Sequence, residues 1–142
     1  MDWFKGKKVV VPIDFGNQSQ PAIDAALSMV ENPSDLFVIH VAPDLTALAP
    51  EVVWQELSDE ARAKTITENF REEYENAKYK ELNFEVAFGD PGHQITEFVK
   101  DLGADVIIMP SHGRSGMSRL LLGSVAERVL RLAHCPVFVL KE

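Results

Sequence analysis

Short apolar runs rich in β-branched residues recur along the chain and are separated by segments with apolar residues at helical spacing. Such runs are typical of buried strands, and the spaced positions are typical of amphipathic helices. The pattern predicts strands at 7–15, 35–42, 83–89, 104–109 and 135–140. It predicts helices at 19–31, 90–103 and 124–133, and a further helix in the polar segment that carries Ala61, Ile66, Phe70, Tyr74 and Ala77.

The elements alternate between strand and helix from the first to the last. This alternation predicts an α/β fold: one doubly wound, five-stranded parallel sheet with helices on both faces, Rossmann-like or flavodoxin-like, in a single domain over residues 1–142. The alternating third strand is expected nearer an edge. Ligands of such sheets bind outside the carboxyl ends of the strands. The loops after strands one, two and four are therefore the candidate site.

Helix-end signals support two of the predicted helices. Asp90 is placed to cap the third helix, Pro91 suits its first turn, and Gly103 suits its end. Ser124, followed three residues later by Glu127, has the pattern of a capping box at the start of the last helix.

Composition excludes several classes of function. The chain has 142 residues, 46% of them hydrophobic, and its net charge of −8 argues against nonspecific binding to nucleic acid or to an anionic membrane surface. The sequence has no apolar run long enough to span a bilayer. The single cysteine, Cys135, fits a reducing compartment, so we expect a cytoplasmic protein.

The segment after the fourth strand departs from this acidic balance. Residues 111–142 carry five basic and two acidic side chains. They include the loop PSHGRSGMSRLLLGSV at 110–125, which joins a buried strand to a helix and is rich in Gly, Ser and Arg. Backbone amides and a helix N-terminus meet in such a loop, which favours a phosphate ligand. The alternative is a flexible connector whose Ser124 only caps the helix.

The loop differs from the common phosphate-binding motifs. Neither G-x-x-x-x-G-K-[ST] nor G-x-G-x-x-G occurs in the chain. The letters at 113–116 match the G-x-x-G clamp of KH domains, but the acidic balance and the element order argue against RNA.

Two side chains outside the glycines, Asp14 and His112, are candidates for the same site. Asp14 ends the first strand, where a carboxylate can hold a ribose hydroxyl or a metal, or cap a turn. His112 can contact a ligand or close a turn. His40, at the end of a strand, is expected to be a core histidine, and no His and Cys cluster has the spacing of a structural zinc site.

The sequence resembles the universal stress protein family along essentially its whole length. The resemblance rests on VVVPIDF, IHVA, ADVIIMPSHGRSG and LLGSVAERVLRLAHCPVFVL. It implies a five-stranded parallel sheet, a homodimer through the last strand, and membership of a family in which some proteins bind ATP and others do not. The motif G-x2-G-x9-G-[ST] of the ATP-binding branch is matched from Gly113 to Ser124, but its first glycine is replaced by Pro110. A proline has no N–H and adds bulk.

By position, the resemblance implies a site for ATP, ADP or AMP. Adenine is expected near Val41 and the Pro12–Ile13 backbone, with ribose or Mg²⁺ near Asp14. Phosphates are expected at Gly113, Gly123, Ser124 and the Val125 amide. Met109 and Pro110 complete the expected set. Arg114 and Arg119 are candidates for electrostatic support because of their charge alone.

The hypothesis is therefore a homodimeric, stress-response binding module for an adenine nucleotide. Because no Walker lysine is present, we expect at most slow hydrolysis, with Asp14 or His112 as the group to test. A second hypothesis is a nucleotide-free interaction module that pairs through the apolar strand at 136–140. A third, a receiver-like phosphorylation domain, lacks an acidic neighbour for Asp14 and a helix after Lys141.

Overall fold

The structure is a computed structural model that describes residues 2–45, 58–112 and 122–141. Its strands are β1 (Val9–Ile13), β2 (Leu36–Ala42), β3 (Asn83–Phe88), β4 (Val106–Pro110) and β5 (Val137–Leu140). Its helices are α1 (Ser19–Met29), α2 (Asp59–Glu73), α3 (Pro91–Leu102) and α4 (Ser124–Leu132). Within the described ranges, no helix is long and apolar enough to cross a membrane.

The five strands form one parallel sheet in the order β3-β2-β1-β4-β5. This confirms the predicted α/β architecture and the edge position of β3. The strand order also distinguishes the two folds that the alternation of strands and helices could not tell apart. Flavodoxin-like and receiver domains have the order 2-1-3-4-5, whereas the Rossmann fold has the order 3-2-1-4-5-6. The observed order is of the Rossmann kind, which excludes the receiver-like hypothesis.

Each face of the sheet has its own apolar layer. On one face α1 and α2 bury Ile23 and Phe70 against alternate residues of the strands. On the other face α3 and α4 bury Ile95, Val99 and Val129. All five residues of β1 are buried, as expected for a central parallel strand covered on both sides.

Two predicted helix ends are placed differently in the structure. The first helix ends at Met29 rather than residue 31, because Pro33 begins a separate 3-10 turn at 33–35. The Ser124 capping box is wrong: the extended Gly123 is the cap residue, its carbonyl accepts the Glu127 amide, and no side chain caps the helix. Glu127 instead pairs with Arg131 one turn on, at 3.7 Å. The Asp90 cap is confirmed, since its carboxylate accepts the His93 amide at 2.9 Å.

Gly92 allows the first turn of α3 to contact α4. A Cβ atom at this position would lie 2.6 Å from both Cγ and Cδ of Arg128, whose Nε forms an ion pair with Asp90 at 3.0 Å. Replacing a helical glycine with alanine normally stabilises a helix by up to about 1 kcal/mol. Here the overlap prevents that gain.

We expect Gly92→Ala to lower the free energy of unfolding by about 1–3 kcal/mol, the range for overpacked sites. Urea denaturation of Gly92→Ala, Arg128→Ala and the double variant measures the coupling between the two positions. The double variant should recover part of the loss. Strict additivity of the two single changes would contradict the proposed overlap.

Tyr74 makes the stability of the fold depend on pH in the alkaline range. Its side chain is buried beside Phe70 and Tyr79, and burial, reinforced by the charge of Glu73, raises its pKa from 10.0 to about 12. Above pH 10 the unfolded state therefore loses the phenol proton while the folded state keeps it. The folded state binds more protons, so stability falls as the pH rises from about 10 to 12.

We expect the free energy of unfolding of the Tyr74→Phe variant to fall less steeply over this pH range. Urea unfolding at several pH values between 9 and 11.5 compares the two slopes. Burial also raises the pKa of Tyr79, so part of the slope should remain. Equal slopes in the two proteins would assign the alkaline loss to other groups.

Candidate functional site

A crevice opens at the carboxyl edge of the sheet, where the strand order reverses between β1 and β4. These two strands are paired only at Val9–Val106 and Val10–Ile107, whereas β1 pairs with β2 over five positions. Beyond Ile107 the two strands have no further paired positions. In open α/β sheets this point of reversal is the usual place for a ligand.

The crevice leads into a cavity of about 270 Å³. This volume lies near the lower end of the range of ligand pockets, about 300–1,000 Å³. Most of the lining is apolar or proline, and the polar side chains are few. The lining residues are Pro12, Ile13, Asp14, Ile39, Val41, Pro91, Ile95, Met109, Pro110, Ser111, His112, Gly123, Ser124, Val125 and Ala126.

The cavity brings together most of the residues that the sequence singled out. Nine of the predicted positions line it, although they come from β1, β2, β4 and the start of α4. These are Pro12, Ile13, Asp14, Val41, Met109, Pro110, Gly123, Ser124 and Val125. The predicted positions Gly113, Arg114 and Arg119 lie outside the described residues.

The N-terminus of α4 forms one wall of the cavity. The Gly123 carbonyl accepts the first intrahelical bond, from Glu127 at 3.0 Å, so the amides of Ser124, Val125 and Ala126 occupy the first turn. Amides in a first turn have no acceptor within their own helix. Together with the positive end of the helix dipole, they make this wall suitable for an anion.

Ser111 holds the base of the glycine-rich loop in place. Its carbonyl accepts the Gly123 amide at 2.8 Å, and its amide donates to the carbonyl of Leu140 at 3.1 Å. Its hydroxyl lies 3.2 Å from Nδ1 of His112, and both side chains are buried. The wall at α4 is thereby tied to β4 and to the end of β5.

Asp14 stands at the opposite rim of the crevice. Its Oδ1 accepts the amide of Gly16 at 2.8 Å, and the intervening Phe15 has a φ of 63°. The carboxylate therefore caps the turn and lines the cavity at the same time. The two interpretations of Asp14 from the sequence, a turn cap and a ligand group, are compatible.

His40 and Cys135, which the sequence analysis also considered, make contacts that stabilise the fold. Nδ1 of His40 bonds with the carbonyl of Ile13 at 2.9 Å, and its ring packs against Phe15, which agrees with the predicted core histidine. Burial, with the charge of Asp105, raises the pKa of the half-buried Cys135 thiol. A raised pKa disfavours the nucleophilic thiolate.

Five lining residues were missed by sequence reasoning: Ile39, Pro91, Ile95, Ser111 and Ala126. Pro91 was assigned to a helix start and Ile95 to a buried helix face, and both assignments are correct. Nothing in their local pattern shows that the start of α3 leans over the crevice. Among the described residues, no group of three or more His, Cys, Asp or Glu side chains could hold a metal ion by itself.

Comparisons with known proteins agree with this architecture. The sequence profile of the universal stress protein family matches residues 6–141. Universal stress protein MJ0531 of Methanocaldococcus jannaschii is 34% identical, and the alignment covers 96% of this chain and 82% of that protein. Universal stress protein YxiE of Bacillus subtilis is 31% identical, with 94% and 98% covered.

Solved structures share the fold. The structure of hypothetical protein MJ0577 has a TM-score of 0.74 at 28% identity and covers 96% of both chains. A universal stress protein in complex with cAMP has a TM-score of 0.58 at 21% identity, with 94% and 95% covered. A family protein from Arabidopsis thaliana with AMP bound has a TM-score of 0.61 at 21% identity, with 96% and 92% covered.

The profile spans nearly the whole chain, and two relatives above 30% identity align over almost all of it. The solved structures share this α/β fold over nearly the whole chain. On these grounds the chain belongs to the universal stress protein family.

Proposed function

We propose that this protein binds an adenine nucleotide, ATP or its relatives ADP and AMP, and acts as a regulatory binding module in a stress response. The observation that carries the proposal is the composition of the cavity at the carboxyl edge of the sheet. Apolar residues of β1, β2 and β4 form one part of its lining, and the start of α4, whose first-turn amides have no acceptor within their own helix, forms another. A flat base suits the first part and a phosphate the second.

Residues around the cavity have distinct parts in the proposed binding. Ile39, Val41 and Met109 would contact the base, and the Pro12–Ile13 backbone lies beside them. Ser124 and Val125 would donate amides to phosphate oxygens, with Gly123 allowing close approach. From the sequence, Gly113, Arg114 and Arg119 belong to the same phosphate site. A bound Mg²⁺ would neutralise phosphate charge, and Asp14 is the carboxylate placed to contact it or the sugar.

The family supports the proposal at the level of the fold. Universal stress proteins have been solved with AMP and with cAMP, so this fold can hold an adenine nucleotide. The proposed location is the cytoplasm, which rests on the use of a single cysteine in the sequence.

Nucleotide recovery from the purified protein tests the proposal. Freshly purified, undialysed protein is denatured, and the released small molecules are identified by mass spectrometry. Calorimetric titration with ATP, ADP and AMP, with and without Mg²⁺, follows. An adenine nucleotide near one per chain, or saturable binding with one site, is expected. Absence of both would overturn the proposal and favour the nucleotide-free module.

The proposal includes no required catalytic step. Slow hydrolysis, if measured, would be assigned to Asp14 or to His112, both of which line the cavity. Turnover that is unchanged in the Asp14→Asn, His112→Gln double variant would remove both from consideration.

A homodimer through β5 is the second part of the proposal. β5 is a sheet edge, and its residues Val137–Leu140 are apolar and only half-buried. Trp3, 43% exposed, stacks against Phe138 beside this edge. An exposed apolar edge favours pairing with another strand. Val139→Lys should convert a dimer into a monomer by light scattering, and an unchanged molar mass would place the interface elsewhere.

A further inference from the structure

Trp3 is a large aromatic side chain that is held in place although much of it is exposed. It belongs to a 3-10 turn beside β5, where its ring stacks on Phe138 with centroids 6.5 Å apart and meets Phe4 edge-on at 5.0 Å. Nζ of Lys7 lies 5.3 Å from the centre of the same ring. Even with these three contacts, 43% of Trp3 is exposed. A ring that is already immobilised loses little conformational entropy when a partner covers it.

Trp3, Phe4 and Phe138 form an aromatic patch on one face of the sheet, next to its edge. Phe4 is buried in the apolar layer on the α1 side, and Phe138 packs against the same layer and meets Phe4 edge-on at 5.7 Å. The neighbouring Val137 and Val139 pack against the opposite layer, on the α3 and α4 side. Phe138 therefore joins the aromatic patch to the strand that forms the edge.

The edge of β5 presents the backbone groups of its odd-numbered residues. Successive residues of a strand direct their amides and carbonyls to alternate sides. The carbonyls of Pro136 and Leu140 accept amides from the β4 side, at 3.0 and 3.1 Å. The even-numbered residues therefore face β4, and the amides and carbonyls of Val137 and Val139 face away from the sheet. They amount to two donors and two acceptors.

A second copy of the chain has the groups that match these donors and acceptors. A twofold axis perpendicular to the sheet at Phe138 places Val137 opposite the partner's Val139, and Val139 opposite the partner's Val137. Each pair exchanges two hydrogen bonds, so all the outward groups of both copies are used. Phe138 then faces the partner's Phe138 as a non-hydrogen-bonded pair, in which Cα atoms lie about 4.5 Å apart. The axis keeps the α1 faces of both sheets on the same side, so the two aromatic patches meet.

Backbone pairing alone does not define this register. An axis at Val137 or at Val139 would also bring outward groups of two copies together. Within the bounds of β5, however, such an axis would pair only one residue of each copy, and it would set the two copies of Phe138 apart. The axis at Phe138 is the one that joins the two aromatic patches into a single apolar surface.

Resting on the proposed homodimer, we infer that Trp3 determines both the register and the partner of this edge. β5 pairs antiparallel with β5 of a second copy about a twofold axis at Phe138, and the two Trp3 rings close the interface on the α1 side. A bare sheet edge accepts any strand of suitable length. A chain without a matching patch would leave Trp3 exposed, whereas a second copy covers it. Tryptophan is among the residues that contribute most to binding at interfaces.

Analytical ultracentrifugation over a dilution series measures the contribution of Trp3. Because each dimer contains two copies of the residue, Trp3→Ala should raise the dimer dissociation constant by about thirtyfold. Trp3→Phe keeps a stacking ring and should have a smaller effect. Lys5→Ala, at an exposed position directly after the same turn, is the matched control and should leave the constant nearly unchanged. A dimer that is equally tight in Trp3→Ala would overturn the inference.

The fluorescence of Trp3 gives a second measurement that leaves the ring intact. In a Trp54→Phe background, Trp3 is the single tryptophan of the chain. Its emission should move to longer wavelength when dilution dissociates the dimer, because the ring becomes exposed to water. The change should follow the dissociation curve from ultracentrifugation. Emission that does not depend on the oligomeric state would place Trp3 outside the interface.

Disulfide trapping tests the position of the axis. In an antiparallel dimer only the residue at the twofold axis faces its own copy. In a Cys135→Ser background, Phe138→Cys should therefore form an intermolecular disulfide on mild oxidation, since the Cα atoms of such a pair lie within the range of about 4.4–6.8 Å that a disulfide spans. Val137→Cys and Val139→Cys are the controls and should stay reduced. Cross-linking at a control position, or at none of the three, would overturn the assigned axis.

The outcomes separate this inference from the proposed function. A monomeric wild-type protein would overturn the proposed homodimer and the role of Trp3 with it, and would leave the proposed nucleotide binding untouched. A dimer that Val139→Lys dissociates but Trp3→Ala leaves intact would keep the β5 interface and overturn the role of Trp3 alone.

Discussion

Replacing Phe70 with alanine is expected to lower the free energy of unfolding by about 3–5 kcal/mol, the range for truncating a buried aromatic side chain. Phe70 is fully buried between α2 and the sheet. Its ring stacks on Phe84 of β3 with centroids 4.1 Å apart, and on Tyr74 at 4.6 Å. Truncation would leave a cavity that these large, flat neighbours cannot fill without moving.

The same cluster supports the rim of the crevice. Phe15, which follows Asp14, packs edge-on against both Phe70 and Phe84. We therefore expect Phe70→Ala also to loosen the turn that positions the Asp14 carboxylate. The loss in stability should be larger than for any surface change on α2.

Urea denaturation of Phe70→Ala measures this effect, and Lys64→Ala provides the control. Lys64 is an exposed residue of the same helix, so its replacement should change the free energy of unfolding by less than about 0.5 kcal/mol. A Phe70→Ala loss as small as that of Lys64→Ala would show that α2 contributes little to the core.

Ser124→Asp is expected to weaken ATP binding by about a hundredfold while leaving the fold as stable as before or slightly more stable. An acidic residue in the first turn of a helix interacts favourably with the helix dipole, by about 0.3–1 kcal/mol. The same carboxylate would stand beside the proposed phosphates. Two unit charges 4 Å apart near a protein surface repel by about 4 kcal/mol before screening by salt, which exceeds the hundredfold effect.

Two measurements distinguish an effect on ATP binding from an effect on folding. Calorimetry should show the loss of ATP affinity, and thermal unfolding without nucleotide should show no loss of stability. Ser124→Ala is the control: because the hydroxyl caps nothing in this structure, its removal should weaken binding only a few-fold. Unchanged ATP affinity in Ser124→Asp would place the phosphates away from the start of α4.

Much of the local structure could be predicted from the sequence. The β-branched runs predicted all five strands, and each end lies within about two residues of the observed one. Asp90 and Gly103 predicted the two ends of α3, because a cap side chain and a left-handed glycine act within one turn. The Ser124 capping box failed, because Gly123 adopts the extended cap conformation and takes the cap position one residue before Ser124.

The candidate site was only partly predictable. Asp14, Gly123 and Ser124 could be found because a strand end and a glycine-rich helix start are visible in local sequence. Pro91 and Ile95 could not, since they reach the cavity only through the packing of α3 against α4 around Gly92.

The sequence by itself determined which segments become strands and helices, which faces they bury, and which family the chain resembles. These properties depend on side-chain periodicity and on motifs a few residues long. Only the tertiary structure decided the strand order and, with it, that Pro12 and Pro110 line one cavity at the reversal between β1 and β4. The physical reason is that the hydrophobic pattern of a strand shows that its neighbours are apolar but does not identify which strands they are. Residues nearly a hundred positions apart therefore acquire a shared role only when the sheet assembles.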